Sequence, residues 1–236
     1  MKPATQLPLK LPHRPALSGN DFFVAPANTA AIDWIDRWPN WSGAGVIIHG
    51  ERGSGKSHLL QVFAARSRAV LVGADNLGEL NALSDTDTEA YGIDDADEIA
   101  ASSADAAEAM FHLFNTAKSM NRKLFLTARA PAARWDVPLK DLMSRLKTLD
   151  NVAIGAPDDT LLSVLLMKQF SDRQIKVEPD VIAYLTARME RSTAAVVETV
   201  DTLDREALAR KQAITVPLAR VVLDQLTDGG QKSLNI

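Results

Sequence analysis

The chain has 236 residues, of which 46% are hydrophobic and 24% charged, a composition typical of a globular protein with its own core. The net charge of -4 argues against a protein that wraps nucleic acid, and the absence of cysteine excludes disulfides and thiolate metal sites. A cysteine-free chain without a signal-like apolar N-terminus or a bilayer-length apolar run is expected to be cytoplasmic, with no membrane contact.

The first elements lead from a tail into a glycine-rich loop. Residues 1–19 contain four of the eleven prolines and predict an extended, flexible tail. Apolar periodicity predicts a helix over 28–38 with Asn28 as its cap, followed by a buried strand at 46–49. A glycine-rich loop follows this strand, and then a helix that begins at residue 55 or 56 and ends at Ser67.

Strands and helices alternate beyond this point. The pattern predicts strands at 69–72, 90–93, 123–127 and 152–154, and helices at 75–83, 104–121 and 139–146. This alternation predicts an α/β domain over 20–156, with a parallel sheet covered by helices on both faces.

Only helical patterns follow Pro157. They predict helices at 158–174, 178–189, 193–211 and 217–226. We therefore expect a small all-helical domain over 157–228, and a frayed end over 229–236 that begins at a double glycine.

The loop at 50–57, Gly-Glu-Arg-Gly-Ser-Gly-Lys-Ser, matches the P-loop pattern in full. Its glycines (Gly50, Gly53, Gly55) allow the backbone N–H groups, with Ser54, to point at phosphate oxygens, and the following helix adds the dipole of its N-terminus. His58, early in that helix, is a further candidate for nucleotide binding. Lys56 supplies a charge to the β and γ phosphates and Ser57 a ligand for Mg²⁺. A chance match is the alternative, but the order strand, loop, helix disfavours it.

Two carboxylates follow the strand at 90–93. A P-loop enzyme needs such groups at the end of a neighbouring strand, so we assign Asp94 to the Mg²⁺ shell and Asp95 to the attacking water. The alternative is a capped turn that leads into the next helix.

Two further residues are candidates for the chemistry. Thr127 ends a strand, where its hydroxyl could hold the water or the γ-phosphate, or else bond its own backbone. Arg145 could face a neighbouring subunit, or be an ordinary solvated helix arginine.

Five features follow one another along the chain: the P-loop, the acidic strand end, the Leu-Thr strand end, the Ser-Arg-Leu segment and the helical C-terminal domain. This ordered set resembles AAA+ ATPases of the DnaA clade. Within that clade it resembles the Hda regulators, particularly their alphaproteobacterial form. The resemblance implies that the segment with Phe23 and Val24, with Asn28 downstream, contacts adenine. It also implies an ADP or ATP ligand with Mg²⁺.

The tail carries a motif similar to the one by which Hda binds the sliding clamp of DNA polymerase III, its beta subunit. The candidate residues are Gln6, Leu7, Leu9 and Leu11. Gln6 can hydrogen-bond at a groove edge while Leu9 and Leu11 fill an apolar pocket. Taken alone the segment is also compatible with a disordered tail, and Lys10 departs from the usual proline or phenylalanine.

The resemblance implies regulatory inactivation of DnaA. In this process a clamp-bound regulator stimulates hydrolysis of the ATP on DnaA, and Arg145 matches the position of the arginine finger that acts in trans. The partners are then the clamp and DnaA, and a homodimer is possible. Intrinsic ATPase activity is expected to be weak.

Two departures from the clade bear on hydrolysis by this chain. Ala194 stands where the lid helix usually has a sensor arginine, and Arg191, one turn earlier, is the nearby substitute. Arg129 stands where the clade often has aspartate.

Two other functions remain open. One is an initiator-helper or helicase-loader ATPase with its own hydrolysis cycle. The other, a small-molecule kinase, fits poorly because its substrate lid would be rich in arginine. No basic recognition helix follows the helical domain, so we expect no sequence-specific DNA binding.

Overall fold

The computed structural model of the chain describes residues 13–14, 22–79 and 87–232. The predicted clamp-binding motif at 6–11 and part of the predicted helix at 75–83 lie outside these residues. Residues 74–78 form a turn. Within the described ranges, no helix is both long and apolar enough to cross a membrane.

The contacts divide the chain into two compact units. One comprises the chain up to His49 together with Ser57–Ala153, and the other comprises Gly50–Lys56 together with the chain from Ile154 onward. The sequence assigned the glycine-rich loop to the α/β domain, whereas its contacts group it with the helical unit.

The first unit contains a parallel five-stranded sheet in the order β4-β5-β6-β3-β7. Its strands are β3 (Gly45–His49), β4 (Val70–Leu71), β5 (Ala90–Ile93), β6 (Lys123–Ala128) and β7 (Asp150–Ala153). Two short strands, β1 (His13–Arg14) and β2 (Phe22–Phe23), form a separate antiparallel pair. The predicted parallel sheet is confirmed.

The helices of this unit are α1 (Thr29–Asp36), α2 (Lys56–Ser67, whose first residue belongs to the other unit), α3 (Ala96–Ser102), α4 (Ala104–Ser119) and α5 (Lys140–Leu146). The sequence did not predict α3, which is short and directly precedes α4. The prediction that Asn28 caps α1 is wrong, since its side chain makes no capping bond. It accepts from Ala25 N at 2.8 Å and donates to Phe23 O at 3.0 Å instead.

Aromatic rings pack α2 and the segment that follows α1 against the sheet. Phe63 of α2 stacks on Phe125 of β6 with centroids 4.7 Å apart, and Trp41 stacks on Phe63 at 5.1 Å. Such pairs add to the apolar area that they bury. This cluster holds the helix that follows the glycine-rich loop in a fixed position on the sheet.

The helical unit contains α6 (Asp159–Asp172), α7 (Pro179–Thr186), α8 (Thr193–Arg210) and α9 (Val216–Lys232). Asp158 caps α6 and Ser192 caps α8, each by accepting from a backbone N–H three residues later. The helix α9 continues through the double glycine, past the predicted end at residue 226. Glycine lowers helix stability by only about 1 kcal/mol, and buried residues such as Leu218 and Val222 anchor α9.

Candidate functional site

The glycine-rich loop has the backbone geometry that a phosphate cradle requires. Gly53 has φ +73° and Gly55 has φ +100°, both in the left-handed region that favours glycine. A Cβ at Gly50 would lie 2.5 Å from Ile154 O, so no larger residue fits there. A Cβ at Gly55 would meet no atom within 4 Å, which leaves open space beside the backbone.

The polar groups of the loop suit an anionic ligand. Lys56 is 6% exposed, and its Nζ donates to Gly50 O at 2.9 Å and Glu51 O at 3.0 Å. Ser54 Oγ is buried and has no hydrogen-bond partner in the part of the chain that the structure describes. Because a buried hydroxyl is normally satisfied, this one is available to a ligand. Ser57 is exposed, and His58 is half-buried in the first turn of α2.

The loop is also tied to the start of α8. Gly53 O accepts from Thr193 N at 2.6 Å and from the Thr193 hydroxyl. A Cβ at Gly53 would lie 2.9 Å from the Ala194 Cβ. The loop and the N-terminus of α8 are therefore in direct contact at this point.

A second group of predicted residues meets at the carboxyl ends of β5 and β6. The buried Thr127 hydroxyl donates to Asp94 Oδ1 and accepts from Asp95 N at 2.9 Å. Asp95 is left-handed, with φ 45° and ψ 45°, a strained conformation that often marks functional sites. The three predicted residues thus form one cluster in which Thr127 orients the Asp94 carboxylate.

Arg129 belongs to the same strand end. Its backbone N–H donates to Asp97 Oδ2 at 2.9 Å, and its guanidinium forms an ion pair with Glu98. The departure from aspartate at this position is therefore accommodated by two acidic residues of α3.

Arg191 is held by the start of α6. Its guanidinium donates to Asp159 Oδ1 at 2.6 Å and to Pro157 O at 3.4 Å. Both residues of the pair are more than half exposed, so the interaction is weak and breaks at little cost. A role as substitute phosphate sensor, which would require Arg191 to leave Asp159, stays a prediction.

Arg145 lies in the last turn of α5 and packs on aromatic rings of α4. Its Cζ is 5.0 Å from the ring centroid of Phe111 and 5.9 Å from that of Phe114. Among the described residues it forms no ion pair with a carboxylate. A half-buried guanidinium that is oriented by rings and not neutralised is suited to bind an anion from outside.

Hydrogen bonds of Asn28 order the segment that is predicted to contact adenine. The bonds of Asn28 to Phe23 O and Ala25 N fix the backbone on both sides of Val24, which is half-buried. Asn28 itself is 7% exposed. Its side chain therefore orders the segment in which Phe23 and Val24 lie.

His49 ends β3, directly before the glycine-rich loop. Burial lowers the pKa of His49 below its usual value of 6.5, and the positive charge of Arg134 lowers it further. The ring is therefore neutral at pH 7.

The structure adds two features that sequence reasoning missed. One is Thr193, which follows a capping serine and so looks like an ordinary first-turn residue. The other is the pair Phe111 and Phe114, whose helical spacing indicated core packing but not a contact with Arg145. Neither feature has a sequence signal that separates it from common helix chemistry.

Comparison with known proteins places these features in a family. Residues 158–223 match the family model "Hda, lid domain". DnaA of Cutibacterium acnes is 24% identical over 244 residues, which cover 93% of this chain. The chain spans about half of that relative, 48% of its length. The chain is therefore similar to Hda-type, DnaA-related AAA+ proteins.

Solved structures support the AAA+ fold. Domain III of Thermotoga maritima DnaA superposes with a TM-score of 0.72 at 16% identity, covering 86% of this chain and 94% of that domain. Aquifex aeolicus DnaA bound to AMPPCP gives a TM-score of 0.65 at 19% identity, over 80% of this chain and 66% of that one. The predicted α/β domain with a helical lid is thereby confirmed, and residues 159–232 contain the four helices of the helical unit.

Proposed function

We propose that this Hda-type protein binds an adenine nucleotide and, tethered to the sliding clamp, stimulates hydrolysis of the ATP bound to DnaA, so that it restrains replication initiation. The match of 158–223 to the Hda lid domain carries this proposal. The DnaA-like fold supports the choice of DnaA as the partner.

Nucleotide binding is supported by the chemistry of the loop. Open space at Gly55, the unsatisfied Ser54 hydroxyl and the Lys56 cation together suit a phosphate chain. Ser57 and Asp94 would hold Mg²⁺, which neutralises phosphate charge when it is bound. Phe23 and Val24 offer an ordered segment for adenine, and ADP serves as well as ATP if the nucleotide only maintains the shape of the protein.

The action on DnaA is supported by Arg145. An arginine supplied in trans stabilises the charge on the transferring phosphoryl group and accelerates hydrolysis by about 10³–10⁵ in known cases. Phe111 and Phe114 hold the Arg145 guanidinium without neutralising it. Arg145 therefore remains able to reach a phosphate on another molecule.

The tether is supported by the sequence of the tail alone. Gln6, Leu7, Leu9 and Leu11 have the chemistry of a short peptide that docks into an apolar groove. Concentrating the protein on the clamp would raise its effective concentration near DnaA.

The test distinguishes binding to the clamp from stimulation of ATP hydrolysis on DnaA. Full-length protein carrying Gln6→Ala and Leu9→Ala is expected to lose clamp pull-down and clamp-dependent stimulation of DnaA hydrolysis. Arg145→Ala is expected to retain clamp binding and to lose stimulation by on the order of 100-fold or more.

Two controls accompany these variants. Lys147→Ala removes an exposed cation just beyond α5 and should stimulate like wild type. Arg145→Lys keeps the charge but loses the planar stacking, so only partial activity is expected. Full stimulation by Arg145→Ala would exclude the finger role, and unchanged clamp binding by the tail variant would exclude the tether.

One observation favours a second candidate, an ATPase with its own cycle. The cluster of Asp94, Asp95 and Thr127 is assembled at the ends of β5 and β6. Steady turnover of ATP without DnaA, abolished by Asp95→Asn, would support this alternative.

A further inference from the structure

We infer that Thr193 is a positioning residue of the phosphate loop: it fixes the Gly53 peptide and so makes the start of lid helix α8 part of the nucleotide site. This inference rests on the proposed nucleotide binding and deepens it. It gives the lid a role at the loop that needs no arginine.

The first observation is the hydrogen bonding of one peptide unit. Gly53 O accepts two bonds from Thr193, from its backbone N–H at 2.6 Å and from its hydroxyl. At the other end of the same peptide, Ser54 N donates to Glu51 O at 3.2 Å. A peptide held at both its oxygen and its nitrogen has a fixed plane.

The second observation is the packing around this peptide. A Cβ on Gly53 would lie 2.9 Å from the Ala194 Cβ and 3.1 Å from the Ser192 Cβ. The first turn of α8 therefore packs against the loop so closely that only glycine fits at position 53. Ser192 caps the helix through Ala195 N, which fixes Thr193 in place.

The third observation is the chemistry of the neighbouring lid residues. Ala194 has no charge and packs on the loop. Arg191 is bound to Asp159. Thr193 acts on the backbone that surrounds the phosphates shared by ADP and ATP, so it should affect both ligands by the same factor.

The loop conformation is costly to hold without support. Gly53 and Gly55 both have positive φ, and glycine loses more conformational freedom on ordering than any other residue. A bond that pre-orders the loop lowers the cost of binding, which is the usual effect of preorganisation on affinity. Thr193 is thus expected to contribute to affinity without touching the ligand.

The experiment measures binding of fluorescent ADP and ATP analogues to full-length protein. Thr193→Val and Thr193→Ala both remove the hydroxyl and keep the backbone N–H. Each is expected to weaken both nucleotides about fivefold to tenfold, the factor for one lost hydrogen bond. Thr193→Ser, which keeps the hydroxyl, is expected to restore most of the affinity.

The matched control is Thr227→Val. Thr227 donates its hydroxyl to Leu223 O at 2.8 Å on α9, so this variant loses the same kind of bond in the same unit. Its nucleotide affinity should equal that of wild type. The melting temperature of each nucleotide-free variant is measured in parallel, because a purely structural role would lower it and leave the affinity unchanged.

The outcomes are distinct. Weaker binding of both nucleotides, with Ser rescue and a control like wild type, supports the inference. Unchanged affinity in the Val and Ala variants overturns it, and so does a loss confined to ATP, which would mean direct reading of the γ-phosphate. Failure of wild-type protein to bind any nucleotide would instead overturn the proposed function.

Discussion

Single side chains determine the chemistry that the glycine-rich loop offers to the proposed nucleotide. Lys56 is nearly buried, and its ammonium group is held by two carbonyl oxygens of its own loop. Carbonyls do not neutralise a cation, so the charge remains available for phosphate oxygens. The neighbouring Ser54 hydroxyl adds a donor that has no other partner among the described residues.

Replacing Lys56 by Ala should abolish most nucleotide binding. The loss of a charged hydrogen-bond donor predicts affinity lower by on the order of 10- to 100-fold, measured by calorimetric titration with ADP. Lys118→Ala, which removes an exposed lysine from α4, is the control and should bind normally. Equal affinity in the Lys56 variant would contradict the assignment of the loop.

His49 should make stability depend on pH. Because its pKa in the folded chain lies below 6.5, the unfolded chain binds more protons in the window between the two values. Protonation of His49 therefore does not lower the free energy of unfolding above about pH 6.5. The free energy of unfolding decreases as pH falls through that window.

Urea unfolding between pH 7.5 and pH 5 tests this. His49→Gln is expected to show a shallower loss of stability with falling pH than wild type. The same slope in both proteins would rule out His49 as the titrating group.

Among the elements, β5 is a strand whose sequence is not uniformly aliphatic. Tyr91 and Gly92 interrupt its aliphatic run, yet the strand is completely buried. A Cβ on Gly92 would lie 2.6 Å from Leu60 Cδ1 and 2.8 Å from Leu71 Cδ2. The glycine lets α2 approach the strand that leads to Asp94 and Asp95.

Gly92→Ala should therefore overpack this contact. The inserted methyl group forces the two leucine side chains to shift, which predicts a loss of about 1–3 kcal/mol in the free energy of unfolding. Chemical denaturation measures it. The double variant Gly92→Ala with Leu60→Val shortens one neighbour and should recover part of the loss, whereas no recovery would argue against a local clash.

Two hydrophobic clusters among the described residues belong to different units, and neither contains the aromatic group of Phe63 and Phe125. One lies around the sheet and contains residues such as Leu126 and Leu142. The other belongs to the lid helices and contains Phe170, Leu185 and Leu203. No buried residue is shared between the two clusters.

Cavity variants in the two cores should act independently. Leu126→Ala and Leu203→Ala replace side chains that are at most 1% exposed, so each should destabilise its own unit by about 2–5 kcal/mol. Their effects in the double variant are expected to add within about 0.5 kcal/mol, because the sites share no packing partner. Urea unfolding followed separately for each unit provides the measurement, and strong coupling would show one cooperative core.

The order of the elements followed from the sequence. Strand and helix periodicities predicted the parallel sheet and the lid, because burial on one face leaves a regular apolar pattern. The P-loop pattern could be recognised for a similar reason. A loop that binds phosphate requires glycines, a lysine and a hydroxyl at fixed spacing within one short segment. The acidic residues after β5 could be singled out as candidates because they lie at the end of a strand.

The partners of the site residues were decided only by the tertiary structure. The bond from Thr127 to Asp94 joins neighbouring strands, the stacking of Arg145 on Phe111 joins two helices, and the bond from Thr193 to Gly53 spans 140 residues. The Asn28 side chain does not cap its helix, because it hydrogen-bonds to the backbone of Phe23 and Ala25 instead. Local pattern determines which element a residue joins, whereas contacts between distant segments depend on how the elements pack.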